Sequence, residues 1–137
     1  MTTMVQIAID CADPARLAEF WAAALGHEVQ GPPEGFESWP DYLRSEGYPE
    51  TDWNSASAVV DPAKVGPRFY FQRVPEPKTV KNRMHVDLKV SGGDQEKLDA
   101  EQQRLTGLGA TMIGTVEEFG QRWIVMQDPE GNEFCLS

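Results

Sequence analysis

Cationic side chains are scarce in this sequence. Its 137 residues include 12 Lys and Arg against 22 Asp and Glu, a formal net charge of −10. That excludes nucleic acid and anionic membrane surfaces as main partners, because neutralising phosphate takes clustered Lys and Arg. Long apolar runs are missing too. No stretch approaches the roughly 18 residues that cross a bilayer. The opening "MTTMVQIAID" has neither the basic start nor the apolar core of a signal peptide, so the expectation is a cytoplasmic protein. Cysteine is limited to Cys11 and Cys135, without CxxC spacing, which points to two free, buried thiols. Histidine is equally rare, with His27 and His85 the only two.

What is present repeats. "MVQIAID" alternates, with Ile7 and Ile9 set against Gln6, Ala8 and Asp10. Asp13–Pro14 then reads as an N-cap and first-turn proline. Leu17, Phe20, Trp21, Ala24 and Leu25 follow as one helical stripe closed by Gly26, and a short strand comes around His27–Gln30. In the second half, "RMHVDLKV" reads as a strand with Met84, Val86, Leu88 and Val90 on one face. A helix capped by Asp94 turns Leu98, Leu105 and Leu108 inward and ends at Gly109, before a strand "ATMIGTV". Each half closes alike: "SASAVVDP" then "GPRFYFQRV" in the first, "QRWIVMQDP" then "EGNEFCLS" in the second.

The pattern predicts an α+β chain of two βαβββ modules. Residues 1–137 form a single domain in this reading, with module one at 1–77 and module two at 82–137. Module one carries an insert at 31–55, rich in Pro, Gly and acid, yet holding Phe36, Trp39, Tyr42, Tyr48 and Trp53. So many aromatics argue for packing rather than disorder, and "SWPDYLRSEG" suits a short helix turning Trp39, Tyr42 and Leu43 to one side.

With the repeat in hand, "QIAIDCADPARLAEFWAAALGHEV" resembles the opening of the vicinal oxygen chelate superfamily, which includes glyoxalase I, bleomycin-resistance proteins and extradiol dioxygenases. "VMQDPEGNEFCL" is similar to that superfamily's closing DPxGN turn and last strand. "RFYFQRVPEPKTVKNRMHVDLKV" looks most like small glyoxalase-like proteins of actinobacteria. The resemblance implies that the modules build an open, eight-stranded mixed-sheet cup. It also implies that the family's metal-ligand positions fall on Gln6, Tyr70, His85 and Cys135.

That set departs from the family's His/Gln/Glu pattern. His85 is a strong ligand type; Gln is weak, Tyr rare, and Cys must be a thiolate. The expectation is therefore a small-molecule binding protein of the resistance or sequestration type, or one of unassigned activity, with no cofactor. The alternative is a metal-dependent lyase, isomerase or dioxygenase. In it a divalent metal would sit on His85, Cys135, Glu133 and Gln6, Glu133 sharing the face of Cys135 by alternation. Gln6, Tyr70, His85 and Cys135 are the candidate cup-lining residues. Trp39, Tyr42 and Trp53 are candidate ligand contacts from the insert, which otherwise plugs the cup or meets a second subunit. For His85 the bland counterpart is a strand histidine bonded to Asp87 or Gln6. Trp123 and Phe119 join either the pocket or the core. The basic stretch with Arg73, Lys78, Lys81 and Arg83 reads as a solvated linker, or as a cation greeting an acidic ligand. A homodimer is expected, because open barrels leave sheet edges that a partner covers.

Overall fold

In a computed structural model that describes residues 1–137, the first strand, β1, spans Gln6–Cys11. It starts later than its alternating pattern suggests, and Met4 and Val5 stay exposed. Helix α1 (Pro14–Leu25) begins where the caps place it, with the Asp13 carboxylate accepting from the Arg16 N–H at 3.3 Å. Gly26 ends it at φ 65°, a left-handed turn that costs glycine little, and donates back to the Ala22 carbonyl. The buried stripe holds Leu17, Phe20, Trp21 and Ala24, while Leu25 is only half-buried.

Two compact units emerge, Met1–Pro77 and Lys78–Ser137. In the first, β2 (Glu28–Val29), β3 (Ala56–Val60) and β4 (Arg68–Arg73) join β1 in the order β1-β4-β3-β2. β1 runs parallel to β4, and the other pairs are antiparallel. Helix α1 packs on β3 and β4, where Val59, Phe69 and Phe71 are at most 2% exposed and the Trp21 ring lies 5.5 Å from Phe69. This burial of large apolar side chains, roughly 1.5–3 kcal/mol each, supplies the main stabilisation of the unit. Alternation sends Gln6, Ala8 and Asp10 to the opposite face, and the parallel register sets Arg68, Tyr70 and Gln72 beside them.

The insert is ordered by its own side chains. Helix α2 (Trp39–Ser45) is capped by Ser38, and a 3-10 turn follows at Glu50–Asp52. The Trp39 indole donates to the Gln30 carbonyl at 2.8 Å, and the Trp53 indole to the Tyr48 carbonyl at 3.0 Å. Tyr42 meets Phe36 and Trp39 edge-on, and Arg44 covers the Trp53 ring.

The second unit repeats the topology. β5 (Val86–Leu88), α3 (Gln95–Gly107), β6 (Thr111–Glu118), β7 (Gln121–Gln127) and β8 (Glu133–Leu136) give the order β5-β8-β7-β6. β5 is parallel to β8. The chain thus carries two four-stranded mixed sheets of βαβββ connectivity, as the repeat implies. Leu98, Leu105, Ile124, Met126, Phe134 and Leu136 are all at most 1% exposed and form this unit's core.

Two expectations fail here. The strand expected over residues 83–90 shrinks to Val86–Leu88 and leaves Met84 exposed. The cause is pairing: the β5 ladder opens at Val86 against Phe134, and the Asn82 N–H goes instead to the Glu133 carboxylate. Leu108 does not face inward. It is the C-cap of α3, donating to the Leu105 carbonyl, and that turn swings it into solvent at 41% exposure. No helix is long and apolar enough to cross a membrane.

Candidate functional site

The face of the second sheet away from its core carries a row set by register. Asp87 on β5 lies beside Cys135 on β8, which lies beside Val125 on β7. His85, immediately ahead of β5, places Nε2 3.2 Å from the Asp87 carboxylate. One donor atom each from His85, Asp87 and Cys135 fall within 4.8 Å of one another. These residues line an open cavity of about 440 Å³, together with Trp123, Val125 and the cations Lys81, Lys89 and Arg122. Arg122 is already engaged, donating to Asp99 at 2.9 Å and to Gln95 at 3.0 Å.

Burial, and after it the negative charge of Asp87, push the Cys135 thiol above its ordinary range, so it stays protonated near neutrality. Glu133 lines the same cavity, but its carboxylate is committed. It accepts from Lys78 at 3.1 Å and from the Asn82 N–H at 3.0 Å. Burial alone would raise this carboxyl; the Asn82 and Lys78 interactions outweigh it and hold the group below its ordinary value. The carboxylate expected to complete a metal set is therefore an ion-pair partner, and Asp87 stands next to His85 and Cys135 in its place.

The remaining sequence candidates belong to the first unit. Gln6 and Tyr70 lie on its open sheet face, where both meet Arg68. Arg68 donates through Nη1 to the Gln6 amide oxygen at 2.6 Å, and its guanidinium sits 5.4 Å from the Tyr70 ring centre. Trp39 and Tyr42 pack on one another, Trp53 lies under Arg44, and both indoles donate to backbone carbonyls. Residue-type reasoning passed over two positions. Asp87 registers only as a neighbour of His85, and Arg68 not at all. The signal for Arg68 lies in the repeat, since it opens β4 as Glu133 opens β8.

Comparison with known proteins agrees with this architecture. The family model for the glyoxalase-like domain matches residues 6–137. Among curated proteins, none matches. A hypothetical protein from S. aureus superposes with a TM-score of 0.64 at 13% identity, over 99% of this chain and 96% of its own. A glyoxalase/bleomycin resistance protein/dioxygenase family enzyme from Burkholderia phytofirmans PsJN gives 0.63 at 16%, over 96% and 94%. A mutant of the fosfomycin resistance protein FosX from Listeria monocytogenes, complexed with Mn(II) and 1S,2S-dihydroxypropylphosphonic acid, gives 0.66 at 13%, over 99% and 89%. Likeness at these identities shows a shared fold.

Proposed function

This chain belongs to the glyoxalase-like domain family, and on that premise we propose that it binds a small organic molecule in the cavity of its second unit, without requiring a metal. One observation carries the reading: two of the groups that would do chemistry there, Cys135 and Glu133, are already quenched. Cys135 is held as a thiol and Glu133 is neutralised by Lys78, whereas Trp123 and Val125 offer a flat apolar wall and His85 and Lys89 polar contacts. A pocket of this kind grips a flat, partly polar molecule by shape and stacking and needs no activated nucleophile. The test is a ligand screen by thermal shift. A cavity ligand at a hundred times its Kd adds about 2.7 kcal/mol of stability. Trp123→Ala and His85→Ala should abolish that gain while still folding. A ligand that stabilises both variants as well as the parent, or a broad screen with no stabiliser, refutes the reading.

The proximity of His85, Asp87 and Cys135 supports a second reading, a metal-dependent lyase, isomerase or dioxygenase. Imidazole, carboxylate and thiolate together fit Zn(II), which takes nitrogen, sulfur and oxygen ligands tetrahedrally; Mn(II), present in the FosX complex, prefers oxygen. His85, Asp87 and Cys135 would hold the ion, which would supply Lewis acidity toward a ligand's oxygens. The chain's own task is to release the Cys135 proton against its buried setting, while Glu133 stays with Lys78. Metal analysis of protein purified without chelator, followed by cobalt titration, decides it. About one ion per chain and a thiolate-to-cobalt absorption lost in Cys135→Ser support this reading. No ion, with no spectral change on adding cobalt, refutes it.

A further inference from the structure

We propose that Arg68 anchors a small oxyanion, a carboxylate, phosphate or phosphonate group, on the open face of the first sheet. The residues that hold it belong to the first unit, and none of them lines the cavity of the second.

Three contacts hold the guanidinium. Nη1 donates to the Gln6 side-chain oxygen at 2.6 Å, Nε donates to the Gln30 side-chain oxygen at 2.8 Å, and the Tyr70 ring lies 5.4 Å away. The two acceptors come from opposite ends of the sheet order, one on β1 and one just beyond β2. Together they fix the plane of the fork. Both are neutral amides, so they orient the charge without cancelling it. Nη2 and the second hydrogen of Nη1 find no acceptor in the protein.

The chain carries a net −10, and Arg44, Arg104 and Arg122 each pair with a carboxylate. Arg68 pairs with none; like Arg73, which donates to the Thr51 carbonyl and the Ser55 hydroxyl, it is held by neutral acceptors. Glu28 shares its face by register, across Val60, and forms no ion pair with it. The second unit shows the contrasting solution at the equivalent place. Glu133 opens the strand parallel to that unit's leading strand, and its charge is closed internally by Lys78 and the Asn82 N–H. Arg68 opens the matching strand of the first unit, and its charge is left open. If Arg68 served only as a cross-strand tie, a carboxylate acceptor would hold it more tightly than two amides, because charge-assisted bonds are the stronger kind. An oriented, uncancelled guanidinium with Nη2 unspent is instead an arrangement that takes an oxyanion in a charge-assisted contact.

The experiment titrates the ¹⁵N-labelled full chain with benzoate, phenylphosphonate and inorganic phosphate, each against sodium chloride of equal ionic strength, and follows the Arg68 Nε–H resonance. A saturable shift is expected with at least one oxyanion and none with chloride. Saturation by benzoate alone marks a carboxylate ligand, by the tetrahedral probes alone a phosphate or phosphonate, and either supports the anchor. Arg68→Lys should weaken binding about tenfold, since the fork is lost while the charge remains. Gln6→Glu leaves Arg68 in place and gives it an internal carboxylate, so it should abolish binding in a chain that still folds. Shifts that only follow ionic strength overturn the proposal, as does a Gln6→Glu variant that binds oxyanions like the parent.

Discussion

Replacing Asp128 with Ala tests how the second sheet holds its cavity wall. Asp128 is 2% exposed and sits in the turn between β7 and β8. Its Oδ1 accepts from the Glu130 N–H at 2.9 Å and the Asn132 N–H at 3.0 Å, and its Oδ2 from the Asn132 side-chain amide at 2.9 Å. Gly131 completes the turn at φ 86° and donates to the Asp128 carbonyl. Removing the carboxylate orphans two backbone N–H groups and one amide. An orphaned buried donor costs about 1–3 kcal/mol, and these residues are half-buried, so the low end applies and the total is about 3 kcal/mol. Against a typical stability of about 5–15 kcal/mol that loss is large. Asp128→Asn keeps an oxygen at Oδ1 and should lose only about 1 kcal/mol. Asp61, the half-buried counterpart in the first unit, caps the exposed N–H groups of Ala63, Val65 and Gly66, so Asp61→Ala should cost less than Asp128→Ala. Urea unfolding at neutral pH measures all three. A loss below about 1 kcal/mol for Asp128→Ala, or a larger loss for Asp61→Ala, refutes the accounting.

Two further outcomes bear on the cavity. The folded-state pKa of Glu133 is depressed, so its ion pair contributes stability that is complete above the unfolded carboxylate value and is lost as pH falls through the folded one. Glu133→Gln should therefore flatten the acid side of a melting-temperature profile, and an unchanged acid side contradicts the assigned role of Lys78 and Asn82. Cys135, with its pKa raised, should alkylate slowly near neutral pH, and Asp87→Asn should speed that reaction by removing the neighbouring negative charge. Peptide mass mapping resolves Cys135 from Cys11; a rate in Asp87→Asn no faster than the parent counts against the electrostatic reading.

Local chemistry was legible in the amino-acid order. Asp13 and Asp94 cap helices, Ser38 opens α2, Gly26 ends α1, and the two Asp-Pro turns each lead into another strand, because all of these act over a few residues. Period then assigned the faces, and the repeat of those pieces was enough to determine two βαβββ modules and to set Gln6 and His85 in equivalent places. The tertiary structure alone decided where each charge is spent. Lys78 meets Glu133 across 55 positions of chain and Arg68 meets Gln6 across 62, and no local pattern encodes such pairings. It also decided that the aromatic insert satisfies its own indoles, that Met84 and Leu108 face water, and that Asp87 rather than Glu133 joins His85 and Cys135. The physical reason is the same throughout. Caps and periodicity act through neighbours in sequence, whereas ion pairs and strand ends depend on which distant segment arrives beside them.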